Sequence, residues 1–77
     1  MNNAIQKKLY NIINNILRIN GKQVFDNLKL DDKLKDDLGM DSVEMVDLVV
    51  SIEDEFEVDI FESGSVDTVN DIFELIK

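Results

Sequence analysis

Apolar residues recur at spacings of three and four near the start of the chain, at Ile5, Leu9, Ile12, Ile13, Ile16 and Leu17. Helical geometry gathers such positions on one stripe, so the pattern predicts an amphipathic helix from Asn3 to Ile19. Asn11, Asn14, Asn15 and Arg18 fall on its polar face. Asn20-Gly21 is the stop signal, because glycine takes the left-handed conformation cheaply at a helix C-terminus. A second helical pattern starts at Asp41 or Ser42 and runs to Glu57, with Met45, Leu48, Val49, Ile52 and Phe56 as its core stripe. Asp41 and Ser42 are both good N-cap types, and Glu44 lies in the first turn, where the helix dipole favours negative charge. A third pattern begins at Thr68. There Thr68-Val69-Asn70-Asp71 reads as a capping box with Asp in the last position, and Val69, Ile72, Phe73 and Ile76 form the buried stripe.

Residues 22–40 make a long connection whose polar residues are interrupted by Val24, Phe25, Leu28, Leu30, Leu34 and Leu38. A connection this long is expected to pack its own side chains over the helices. One short helical turn is expected near Asp32-Lys33-Leu34-Lys35, followed by a sharp reversal at Gly39. After Val58 and Ile60, the segment Phe61-Glu62-Ser63-Gly64-Ser65 is expected to form a short irregular piece with one helical turn. The expected fold is all-α: a small bundle of three main helices and one short one, with a long first loop, as a single domain over 1–77.

Charge changes this picture. The net charge is −9 and it is unevenly spread. Residues 1–30 carry five Lys/Arg against one acid, for +4, whereas residues 31–77 carry three lysines against sixteen acids, for −13. Such a segment repels nucleic acid and anionic lipid and attracts basic patches on proteins. Cysteine and histidine are both absent. That removes disulfides, thiolate metal sites and the usual general base. An EF-hand reading of the region from Asp31 fails as well, because Lys33 and Lys35 occupy alternate positions that need acids. No apolar run approaches the length of a membrane span, and the N-terminus lacks the apolar stretch of a signal peptide, so the expected location is the cytoplasm.

The helix from Asp41 has an unusual far face. Val43 and Val50 fall there with Asp47 and Asp54 beside them, and Val46 and Glu53 flank one edge. Valines ringed by carboxylates suit a partner surface with an apolar centre and a charged rim; the alternatives are incidental surface valines or valines covered by the long loop. Ser42 has two readings. It is either a plain N-cap, contributing about 1 kcal/mol, or a hydroxyl that is acted upon. An Asp-Ser before a helix is most often a cap, but a hydroxyl at a helix N-terminus is also well placed to carry a phosphate, since the free amides and the dipole stabilise the added charge. Self-activation is disfavoured because no histidine can take the proton.

Leu38-Gly39-Met40-Asp41-Ser42, the helix behind it and Glu53-Asp54-Glu55-Phe56 together resemble the prosthetic-group site and following helix of the acyl carrier protein family. The resemblance implies that Ser42 receives 4′-phosphopantetheine from coenzyme A, added by a phosphopantetheinyl transferase, with Asp41 and Gly39 beside it. It implies no catalytic residue and no resident metal. Glu44, Asp47, Glu53 and Asp54 match the family's acidic docking positions, and Val43, Val46 and Val50 its apolar contacts. The implied partners are acyl transferases, ketosynthases and other pathway enzymes, met by a monomer. The implied function is carriage of acyl thioesters in fatty-acid synthesis. The segment from Ile60 to Thr68 is shorter than in typical fatty-acid carriers and lacks a proline, which favours instead a freestanding polyketide or peptidyl carrier. An unmodified acidic adaptor is the alternative of another class.

Overall fold

A computed structural model describes residues 2–60 and 66–77, with side chains from residue 4 onward. Three helices form: α1 (Asn2–Ile19), α2 (Ser42–Phe56) and α3 (Val69–Ile76). No strand forms among the described residues, and no helix there is long and apolar enough to cross a membrane. The expected short turn over 61–65 lies outside the described residues.

The predicted stripes make the core. Leu9, Ile13, Ile16 and Leu17 from α1 meet Leu48, Val49 and Ile52 from α2, and Val69, Ile72, Phe73 and Ile76 from α3 close over them. Each fully buried aliphatic contributes about 1.5–3 kcal/mol relative to exposure. Ile5, Ile12, Met45 and Phe56 pack at the margin, half-buried.

α1 stops where Asn20-Gly21 placed its end. Gly21 has φ +74, the Lys22 amide donates to Leu17 O at 2.8 Å, and the Gly21 amide donates to Arg18 O at 3.1 Å. This crossed pair is a Schellman motif, and it satisfies carbonyls that the helix end leaves open. α2 ends differently. Glu57 takes the left-handed conformation at φ 57, and its amide donates to Glu53 O at 2.9 Å. No glycine announces that end, so the sequence pattern overruns it by one residue.

The long connection does pack, through Leu28, Leu34, Leu38 and Met40, all buried. Val24 is the exception and stays exposed at 42%. The connection is pinned at two places that periodicity does not show. Asn14, assigned to the polar face of α1, is half-buried and pairs its side-chain amide with the backbone of Phe25 in both directions, at 2.8 and 2.9 Å. Farther along, Lys33 forms an isolated antiparallel bridge to Thr68, with the Leu34 amide donating to Asp67 O at 2.8 Å. The helical turn expected at 32–35 forms slightly later, over residues 34–38.

These contacts complete the start of α3. Its first two amides, Val69 and Asn70, donate to Asp32 O at 3.0 Å and to Leu30 O at 2.7 Å. The third, Asp71, donates to Thr68 Oγ1 at 3.2 Å, while Asp71 Oδ2 accepts from the Thr68 amide at 2.9 Å. The predicted capping box is therefore present, and donors that a helix start leaves open all find acceptors.

The amide of Thr68 chiefly, then that of Asp67, holds the Asp71 carboxyl below its ordinary 3.8. A depressed carboxyl stabilises the fold above its unfolded value, and that contribution is lost as pH falls through the folded value. We therefore expect the thermal midpoint to fall on acidification below about pH 4. An Asp71→Asn variant should start lower at neutral pH and lose less in acid. Equal acid losses in both proteins would remove Asp71 from this account.

Candidate functional site

The turn before α2 is anchored by alternation. Leu38 and Met40 are buried, whereas Gly39, Asp41 and Ser42 face solvent. Gly39 has φ +74, a conformation a side chain would strain, so the reversal expected there is real. The Met40 amide donates to Leu34 O at 3.0 Å and holds the turn against the preceding loop.

Asp41 is the N-cap of α2. Its Oδ1 accepts from the Glu44 amide at 2.9 Å, and Glu44 Oε1 accepts from the Asp41 amide at 2.9 Å. Ser42 is the first helical residue and is exposed. The two readings of Ser42 separate here: the cap is Asp41, so the serine hydroxyl is free of that duty. The Glu44 amide is also the main reason the Asp41 carboxyl sits below its ordinary 3.8, with the charge of Lys22 helping.

Glu44 departs from its expected place. It was grouped with the exposed docking acids, yet it is only 1% exposed. Its Oε1 accepts from Lys22 Nζ at 2.5 Å as well as from Asp41, and Oε2 is buried without a hydrogen-bond partner. The reason is helical register, because Glu44 lies one turn before the fully buried Leu48. A signal was available, since Asp41-Ser42-Val43-Glu44 is itself a capping-box pattern.

Lys22 is the site residue that sequence reasoning missed. Besides Glu44, its Nζ donates to Gly39 O at 2.7 Å and lies 3.9 Å from Asp41 Oδ2. One cation from the end of α1 thus ties together the glycine turn, the cap and the first turn of α2. The Schellman motif is what turns the chain at Lys22, the residue just beyond Gly21.

The remaining predicted residues come together on one exposed face. Val43, Val46 and Val50 are 66, 52 and 55% exposed, and Asp47, Glu53 and Asp54 are exposed around them. None of the three valines is covered by the loop.

A protein-family profile described as the phosphopantetheine attachment site matches residues 7–75. The chain is also 38% identical over 58 residues to an acyl carrier protein of Buchnera aphidicola subsp. Schizaphis graminum, spanning 75% of this chain and 68% of that protein. This chain belongs to the acyl carrier protein family. A similar protein from Syntrophobacter fumaroxidans, also an acyl carrier protein, is 36% identical over 75 residues, or 95% of this chain and 88% of that one. Another, from Chlorobium phaeobacteroides, is 39% identical over 56 residues, covering 73 and 67%. No solved structure gives a significant match.

The prosthetic group of this family is 4′-phosphopantetheine. The residues present fit it. An attached phosphodiester needs an exposed hydroxyl without another structural task, and Ser42 offers one at the positive end of a 15-residue helix. The ammonium of Lys22 near Asp41 offsets part of the acidic charge that a phosphodiester would otherwise meet.

Proposed function

We propose that the chain carries acyl groups on a 4′-phosphopantetheine arm attached to Ser42, and passes them between the enzymes of fatty-acid synthesis. The observation that carries this reading is the division of labour at the start of α2. Asp41 caps the helix, which leaves an exposed Ser42 hydroxyl on a turn braced by Gly39 and Lys22. When bound, the group supplies a thiol that the cysteine-free chain lacks, and cargo is held on it as a thioester.

In the attachment reaction Ser42 Oγ forms a new bond to phosphorus as the bond to the 3′,5′-ADP portion of coenzyme A breaks. The hydroxyl proton leaves to a base of the transferase, since the chain has no histidine to receive it. Val43, Val46 and Val50, with Asp47, Glu53 and Asp54 around them, form the docking face for transferase, acyl transferases and ketosynthases. Such encounters are small, transient and electrostatically steered. Glu44 takes no part in that face; it holds the turn. The carrier works as a single domain in the cytoplasm and leaves catalysis to its partners.

The test is intact-protein mass after incubation with coenzyme A, magnesium and a broad-specificity transferase. One phosphopantetheine addition is expected on the wild type and none on Ser42→Ala. No addition to the folded, initially unmodified wild type would favour an unmodified adaptor. Loading of the product by a malonyl transferase, and not by amino-acid adenylating enzymes, is the outcome expected of a fatty-acid carrier.

A further inference from the structure

The ammonium of Lys22 has three hydrogens to give and no lone pair. Two are spent inside the turn, on Gly39 O at 2.7 Å and on Glu44 Oε1 at 2.5 Å. Asp41 Oδ2, at 3.9 Å, is too far to accept the third. No other acceptor for it occurs among the described residues, and the Lys22 side chain is 35% exposed. One donor of a fixed cation is therefore open beside the residue that directly precedes Ser42.

The first amides of a helix are the usual seat of an anion, but at α2 that seat is taken. Asp41 Oδ1 accepts from the Glu44 amide at 2.9 Å. The Asp41 carboxyl is held below its ordinary 3.8 by that amide chiefly, then by Lys22, with the Val43 amide adding to them. Two of the first three amides of α2 thus face the chain's own carboxylate. A phosphodiester on Ser42 meets a helix start whose donors are already engaged by a negative charge. Its counter-charge has to come from outside α2, and Lys22 is the cation that the fold brings to this turn.

We propose that Lys22 is the positioning residue for the base of the arm, its third ammonium hydrogen donating to a non-bridging oxygen of the phosphate on Ser42. The inference rests on the reading of Ser42 given above. The other two hydrogens stay on Gly39 and Glu44, so the cation keeps its place in the turn while it holds the phosphate. A hydrogen bond between an ammonium and a phosphate oxygen is charge-assisted and stronger than a neutral one. The phosphate end of the arm is thereby fixed to the end of α1 as well as to α2, and motion is left to the part beyond it.

The test is nuclear magnetic resonance on the full chain at neutral pH and low temperature, before and after modification with coenzyme A, magnesium and a broad-specificity transferase. The Lys22 Nζ signal should shift on modification and show a hydrogen-bond coupling to phosphorus. The Nζ signal of Lys77, which pairs with Glu74 at the end of α3, should not move. The phosphorus resonance of the modified protein is the second readout. It should be displaced in Lys22→Met combined with Glu44→Gln, a pair of changes that leaves no buried charge and keeps the protein folded by circular dichroism. Glu44→Gln alone should leave it at the wild-type position, and Lys22→Arg should bring it close to that position, because a guanidinium also donates to phosphate. A Lys22 Nζ signal that is the same before and after modification overturns the proposal. So does a phosphorus resonance that the double change leaves in place, or one that Glu44→Gln alone displaces as far, which would make the turn and not the cation responsible. A folded wild type that is never modified overturns the Ser42 reading, and this one with it. A modified wild type with an unmoved Lys22 signal overturns this one alone.

Discussion

Replacing Lys22 by methionine should lower the unfolding free energy by about 2–3 kcal/mol. The change keeps the length of the stem and removes the cation that faces Glu44 at 2.5 Å. Breaking a buried pair by removing one partner costs about 3–5 kcal/mol, because the remaining charge is left uncompensated in a poorly hydrated place. Glu44 is buried here, but the Lys22 side chain is 35% exposed. Water can therefore replace part of the lost interaction, which sets the lower figure. A 77-residue chain has a total stability of only about 4–12 kcal/mol, so the loss should be large in relative terms. Urea denaturation measures it, and the thermal midpoint should drop by about 10–20 °C. Adding Glu44→Gln should recover much of the loss, since an amide oxygen can still accept from the Asp41 amide and no buried charge remains. The cycle isolates the pair because each partner is removed separately and together. A Lys22→Met protein within about 0.5 kcal/mol of the wild type would mean that solvent already satisfies Glu44.

Reversing Asp47 and Asp54 to lysine together should slow modification and acyl transfer by about tenfold or more at low salt. Both carboxylates are exposed on the far side of α2 from Leu48 and Ile52, so the fold should survive unchanged by circular dichroism. The effect should appear mainly in association, because rim charges steer encounter more than they hold the complex. Salt supplies the control. Wild-type rates should fall as ionic strength rises, since the screening length shrinks to about 10 Å at 0.1 M. The double variant should lose that dependence or reverse it. Equal rates and equal salt slopes in the two proteins would remove these residues from the docking face.

The three helices were legible because each is a local object. Ile5 through Leu17, Met45 through Phe56 and Val69 through Ile76 repeat at helical spacing, and burial follows that spacing at Leu9, Ile13, Leu48, Ile52 and Ile72. Caps were legible where chemistry and spacing coincide, as at Asn20-Gly21 and Thr68-Val69-Asn70-Asp71. The exposed valines were legible for the same reason: they fall on the side of an amphipathic helix opposite its apolar stripe, and that side faces outward. Ser42 could be singled out, but not separated from a cap, because Asp41 and Ser42 are both good capping residues and stand side by side.

Composition, charge, helix periodicity and the Asp41-Ser42 motif thus belong to the sequence alone, since each depends on neighbours within a few positions. Tertiary structure decided which of two adjacent residues caps α2 and which is left free. It decided that Glu44 turns inward while Asp47 stays out. It brought Lys22 to Glu44 across 22 positions, Asn14 to Phe25 across 11, and the loop carbonyls of Leu30 and Asp32 to the first amides of α3. These contacts join groups with no fixed sequence spacing. Their partners are chosen by where the helices pack and by the need of every buried donor and charge for a partner, which no local pattern encodes.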